Sequence, residues 1–294
     1  MIKKRIISIQ NYYIKYIFIL PAIIFMLVFL IYPLCQSIFY SFFNWDGVNP
    51  AIFTGISNYL KMFKDSIFQI SLKNSLIFMA INTAGTILMG LFLALCIDLK
   101  LKGWQAYRTM FFLPIMISTV ITALLWTRIL DPINGPLNIF LRLIKLDIIA
   151  KLWIGDSKLA LYCIIAVSIW QFSGFPMVFF LTAMKNIPEE LYDAAKIDGA
   201  GIISRFFYIT LPLIRYVLAV IAILQLIWSF QIFDMVWAMT RGGPGNSSQV
   251  LGTYLYLVGM RYMKFGYASV IAAISLIISL IFSIFYLRYS RYRE

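Results

Sequence analysis

Six stretches of this chain are almost wholly apolar and close to 20 residues long, at about 16–40, 75–97, 109–130, 160–183, 214–238 and 267–288. A helix rises 1.5 Å per residue, so about 20 residues cross the roughly 30 Å of hydrocarbon in a bilayer. A water-soluble fold could not hide such blocks. Hydrophobic residues make up 62% of the 294 and charged residues 13%, against roughly 45–50% and 25% in soluble domains. The blocks predict helices by elimination. A lone segment in lipid must satisfy its backbone internally, and outer-membrane strands would alternate in roughly 10-residue pieces. The expected fold class is all-α, a polytopic membrane helical bundle of six transmembrane helices.

The first block follows Lys3, Lys4, Arg5 and Lys15, as a signal peptide would. It is longer than a signal peptide and lacks a small-residue cleavage site, so an uncleaved first span is expected. Pro21 and Pro33 are expected to kink or shorten it. Basic residues then set the orientation. Lys100, Lys102 and Arg108, the group from Lys185 to Arg215, and Arg288 to Arg293 share the side of the N-terminal lysines. The opposite loops are longer and more sparsely basic, which puts both termini in the cytoplasm. Residues 1–74 hold the basic start, the first span and an outer loop; residues 75–294 hold the other five spans and the cytoplasmic loop 186–212. The loops are too short for a separate soluble domain.

The formal charge of +13 would point to nucleic acid in a soluble protein. Here the basic residues flank apolar blocks, so attraction to anionic inner-leaflet lipid explains them and no nucleic-acid partner is expected. Cys35, Cys96 and Cys163 sit within apolar blocks and read as small buried hydrophobes. The chain has no histidine, which removes the commonest general base and most zinc sites; neither a catalytic residue, a metal nor a cofactor is expected.

One cytoplasmic loop has a pattern of its own. From Asn186, Pro188 suits a first helical position, and Glu189 and Glu190 fall in the first turn, where the helix dipole favours acids. Leu191, Ala194, Ala195 and Ile197 form a narrow stripe of mostly small side chains, and Gly199 supplies a stop whose turn calls for positive φ. A second short helix is expected from Ile202 to Ile209, ending before Pro212. A helix lying on lipid would carry lysine beside its stripe; acids and alanines favour close approach of another protein.

The residues Asp193-Ala194-Ala195, Gly199 and Ile209-Thr210-Leu211-Pro212 resemble the EAA loop of ATP-binding-cassette importer permeases. The resemblance continues through Tyr32-Pro33, Ser41-Phe42, Gly55, Asn58-Tyr59, Phe112-Leu113-Pro114, Gly135 and Asn138. It ends with Ser229-Phe230-Gln231-Ile232-Phe233-Asp234 and Thr240-Arg241-Gly242-Gly243-Pro244, which are similar to carbohydrate-importer permeases of the maltose type, first subunit. Asp193 stands where that family usually has Glu, and the large outer domain of the maltose subunit is absent. The resemblance implies a permease subunit of a cell-membrane sugar importer. It implies a second permease subunit as heterodimer partner, two copies of a cytoplasmic ATPase, and an external solute-binding protein. The ATPase-coupling loop would then comprise Glu190, Asp193, Ala194, Ala195, Gly199, Ile209, Leu211 and Pro212. No Gly-x-x-x-x-Gly-Lys-Ser/Thr segment is present to cradle ATP.

Polar residues within spans usually face the bundle interior or a water-filled path. Gln225, Trp228, Ser229 and Ile232 are spaced to share one helical face. An amide, a hydroxyl and an indole together suit a neutral sugar, and the same positions resemble those lining the maltose-type solute site. Gln171 and Phe175 of the fourth block are further solute-path candidates, with interhelical hydrogen bonding as the rival reading. Asn82, Thr83, Ser118, Thr119 and Thr122 read as packing residues, and Asp234 as a cap, an ion-pair partner or a gate near the outer mouth. An ion-coupled secondary transporter is the alternative function, but it would need carboxylates or cations near the midplane, where none is convincingly placed. An anionic solute would need an intramembrane cation, and only Arg128 is near.

Overall fold

The computed structural model describes residues 18–99 and 102–291; the flanking Lys3, Lys4, Arg5, Lys15, Lys100 and Arg293 lie outside them. The described residues are overwhelmingly helical, with one two-stranded antiparallel sheet. Four helices are long and apolar enough to cross a membrane, and six spans result if each of two bent helix pairs counts as one. The chain divides into two compact units, residues 1–64 with 255–276 and residues 65–254 with 277–294.

In the first unit, α1 (Phe18–Tyr40) exposes nearly every apolar side chain to its surroundings. That is the solution for a helix whose solvent is lipid. A π turn at Leu27–Ile31 precedes Pro33, which has no N–H to return to the carbonyl of Phe29. β1 (Phe43–Asn44) pairs with β2 (Ile52–Phe53). Between them the Asp46 carboxylate accepts the N–H groups of Val48 (3.0 Å) and Asn49 (2.8 Å), which hold its carboxyl below the usual carboxylate range. The recurring residues of this region form one cluster. Asn58 of α2 (Ser57–Lys64) donates to the carbonyls of Ser41 (3.1 Å) and Phe43 (2.8 Å), and the Ser41 and Tyr59 hydroxyls lie 2.8 Å apart.

In the second unit, the Asp65 carboxylate caps α3 (Ser66–Asp98) by accepting from Ile67 and Phe68. The helix starts earlier than the apolar block, so Lys73 is on α3 and not in an outer loop. The third block is not one straight span. α4 (Trp104–Phe112) runs into a 3-10 turn at Leu113–Met116, and α5 (Thr119–Ile129) leaves at 98°. Pro114 and the extended backbone of Ile117 make the break. A break at membrane depth needs its carbonyls satisfied by other groups. The Gln171 amide does this, donating to the Ile117 carbonyl at 2.9 Å.

Asn138 of α6 (Pro136–Leu143) is buried and ties the following loop by donating to the carbonyls of Pro132 and Lys151, both at 3.0 Å. α7 (Ala160–Phe172) and α8 (Gly174–Lys185) are two arms of one block bent by 43°. Gly174 is required at the elbow: a Cβ there would lie 2.7 Å from the Phe111 carbonyl oxygen, where no flexible side chain can yield. α9 (Glu189–Ile197) follows.

The expected short helix at 202–209 does not stand alone. It is the start of α10 (Ile202–Phe230), a single long helix. A π turn at Phe206–Thr210 lets the helix pass Pro212 without stopping, the same arrangement as in α1. At its other end α10 stops at Phe230, short of the 238 expected, and α11 (Asp234–Met239) follows after a break. α12 (Leu251–Tyr256) and α13 (Phe265–Arg291) complete the chain. The second unit's core holds two apolar clusters, one around Phe78, Ile164 and Met235, the other around Met177, Phe180 and Ile221.

Candidate functional site: an exposed loop and a polar helix face

The segment from Pro188 to Pro212 stands out from the bundle. No residue of α9 is buried. Glu190, Leu191, Ala194 and Ile197 are exposed, whereas Tyr192 and Ala195 are half-buried and turn inward. The outward face is therefore narrower than the predicted stripe, and Ala195 belongs to its inner edge. Asp193 pairs with Lys196 at 2.8 Å, both more than half exposed, a contact worth about 0–1 kcal/mol at a surface. Gly199 has φ +78°, the left-handed turn expected of it, and nothing lies within 4 Å of where its Cβ would be.

The loop is nevertheless fixed to the bundle. Tyr192 packs beside the second core cluster, and its hydroxyl lies 2.9 Å from that of buried Thr210 within the π turn of α10. Lys185, at the end of α8, stands over the Trp104 ring at 4.7 Å. Ile209 and Leu211 are half-buried and Pro212 is exposed. A groove of ≈ 1030 Å³ runs beside α9, walled by Leu95, Leu99, Asp193, Arg205 and Phe207. α9 is exposed, Gly199 makes a left-handed turn after it, and the Tyr192–Thr210 hydrogen bond links it to the 29-residue α10.

The proposed path residues divide. Gln225 and Ser229 are buried on α10, and Trp228 beside them is about half exposed. Ile232 lies beyond the helix end and packs against the first core cluster. The one-face reading therefore covers Gln225, Trp228 and Ser229 but not Ile232, because Gln231 already caps the helix. Phe175 meets Trp228 edge-on at 5.2 Å, so α8 and α10 share an aromatic contact. Gln171 spends its amide on the Ile117 carbonyl, and its own buried oxygen has no partner. Asp234 is exposed in the first turn of α11, where its charge favours the helix N-terminus.

Several working residues escaped sequence reasoning. Asn74 of α3 donates to the carbonyls of Ser247 and Gln249, both at 2.9 Å, and Ser75 accepts the N–H of Leu251 at 2.9 Å. They hold the segment after Gly242-Gly243-Pro244 against α3. Gly242 has φ +85°, and a Cβ there would meet the side chain of buried Gln249. A polar spacing along α3 (Asn74, Ser75, Asn82, Thr83, Thr86) was the available signal, since a lipid-facing span would not carry it. Tyr192 and Thr210 gave none, because they meet only through the tertiary fold.

Residues 86–292 match the family described as binding-protein-dependent transport system inner membrane component, and the chain belongs to that family. It is 38% identical over 283 residues to a probable ABC transporter permease protein, YurN, of Bacillus subtilis, covering 95% of this chain and 97% of that one. It is 34% identical over 275 residues to the diacetylchitobiose uptake system permease protein NgcF of Streptomyces coelicolor, covering 90% and 78%. Among solved structures it resembles a chain of a bacterial alginate ABC transporter in complex with an alginate pentasaccharide-bound periplasmic protein. There the TM-score is 0.84 at 26% identity, over 97% of this chain and 96% of that chain. The protein is thus a permease subunit of an ATP-binding-cassette importer, a membrane transport component and not an enzyme.

Proposed function

We propose that this subunit passes a neutral sugar from an external binding protein into the cell, along the Gln225, Trp228 and Ser229 face of α10 with Phe175 beside it. Six spans, with each bent pair counted as one crossing, put both termini on one side, and the basic flanks make that side the cytoplasm. A second permease subunit closes the path, and two ATPase subunits dock on the loop from Glu190 to Pro212. The observation that carries the reading is the pairing of an exposed, acid-tipped α9 with direct continuity into α10, the helix that bears the polar face. A sugar importer is supported by the diacetylchitobiose and alginate systems it resembles. No lysine or arginine is buried on that face, which suits a neutral solute; the alginate importer that the chain resembles, by contrast, imports an acidic polysaccharide.

The reading requires the 186–212 loop to face the cytosol. With Cys35, Cys96 and Cys163 replaced, Ser157→Cys is expected to react with a membrane-impermeant maleimide from outside, and Lys185→Cys only after the membrane is opened. Labelling of both from outside would overturn the orientation and the docking role together.

A further inference from the structure

Asn82 lies midway along α3 and is 3% exposed. Its amide donates to the Ser229 hydroxyl at 2.7 Å, bridging α3 to α10. Thr83 reaches the same hydroxyl at 3.5 Å. An interhelical clamp between two polar side chains is common in membrane bundles. The clamp does not use all the polar atoms at this contact. The Asn82 carboxamide oxygen is buried without a partner, and so is the Gln225 amide nitrogen one turn from Ser229 on the same face of α10. Both helices thus bring hydrogen-bonding capacity to the same contact, and the chain leaves part of it unused. Buried polar groups in low dielectric are costly unless paired.

A hydroxyl group, donor and acceptor at once, is the chemical partner that could meet an unused carbonyl oxygen and an unused amide N–H. Water and a sugar both offer one. Ser229 accepts from Asn82 and from Thr83, which leaves its own O–H to be donated elsewhere. Asn82 therefore decides which way the Ser229 hydroxyl points.

Resting on the path reading above, we propose that Asn82 is a further residue of the solute path. It positions the Ser229 hydroxyl and offers its own carboxamide oxygen to a hydroxyl of the passing sugar. This adds to the packing role its sequence position implied: the amide nitrogen ties α3 to α10, and the carboxamide oxygen is left for a ligand.

The test uses the complete transporter, with both permeases, the ATPases and the binding protein, in which Cys35, Cys96 and Cys163 have been replaced. Asn82→Cys, Gln225→Cys and Ile164→Cys are each exposed to the hydrophilic thiol reagent 2-(trimethylammonium)ethyl methanethiosulfonate during ATP turnover. Ile164 lies in the apolar core and is the inert control. Modification at positions 82 and 225 and not at 164 is the expected result. Modification at 225 with position 82 inert overturns the role of Asn82 while leaving the path reading in place. Inertness at both overturns the path reading and this inference with it. Asn82→Leu supplies a second measurement that does not depend on the cysteine variant. Uptake of the sugar that co-purifies with the binding protein is expected to be lost, while the ATPase still responds to loaded binding protein. Retained uptake, or loss of both activities together, overturns the proposal in favour of a structural clamp.

Discussion

Gly199→Val is expected to abolish transport while the permease still inserts in the membrane. The cost comes from the backbone alone. No atom lies within 4 Å of the position a Cβ would take, but φ is +78°, and holding a non-glycine residue there costs of order 1–3 kcal/mol. A β-branched residue is worse placed still. The substitution therefore tips α9 away from its link to Thr210 without disturbing the core. Two further changes act on the docking face. Ala194→Trp puts a large side chain on the exposed surface, where the isolated permease has room and a docked partner does not. Asp193→Lys reverses a charge beside Lys196. All three should reduce co-purification of the ATPase and uncouple its activity from loaded binding protein. Full ATPase binding and uptake in all three would show that this loop is not the coupling element.

The second large effect belongs to the polar face. Gln225→Leu combined with Ser229→Val removes an amide and a hydroxyl from α10 at little change in volume. If each makes one hydrogen bond to the sugar, worth about 0.5–1.5 kcal/mol, uptake should fall roughly 5- to 150-fold by the same estimate. ATPase docking should persist, because α9 lies at the far end of the helix. Ser229→Val also strands the Asn82 amide, so membrane insertion of the double variant is the needed control. Unchanged uptake would remove α10 from the path.

The membrane class of the fold was legible because lipid leaves the backbone so few options. Blocks of about 20 apolar residues can be little else, and four of the helices are long and apolar enough to cross a membrane. What was illegible is where helices bend. The break at Ile117 depends on a side chain 54 positions away, and the elbow at Gly174 on the backbone of Phe111. Pro212 read as a helix stop, yet a π turn carries α10 past it, which local propensity does not foresee.

The site shows the same division. Gly199 was readable because a positive φ has one natural occupant. Ile232 was misplaced on the helical face because periodicity assumes a helix that continues, and α10 ends at Phe230. Asn82 and Asn74 read as packing residues or not at all, since their partners are on α10 and in the 247–251 segment. Their polarity was visible; their purpose required the neighbouring elements.

The central claim is that ATP hydrolysis on partner subunits drives a sugar through this permease. Sealed vesicles containing the complete assembly can be supplied with the sugar that co-purifies with its binding protein. In one arm ATP is enclosed on the cytoplasmic side; in the other a proton or sodium gradient is imposed without ATP. The account predicts accumulation only with ATP and only with binding protein present. Accumulation driven by the ion gradient in the absence of ATP would contradict it.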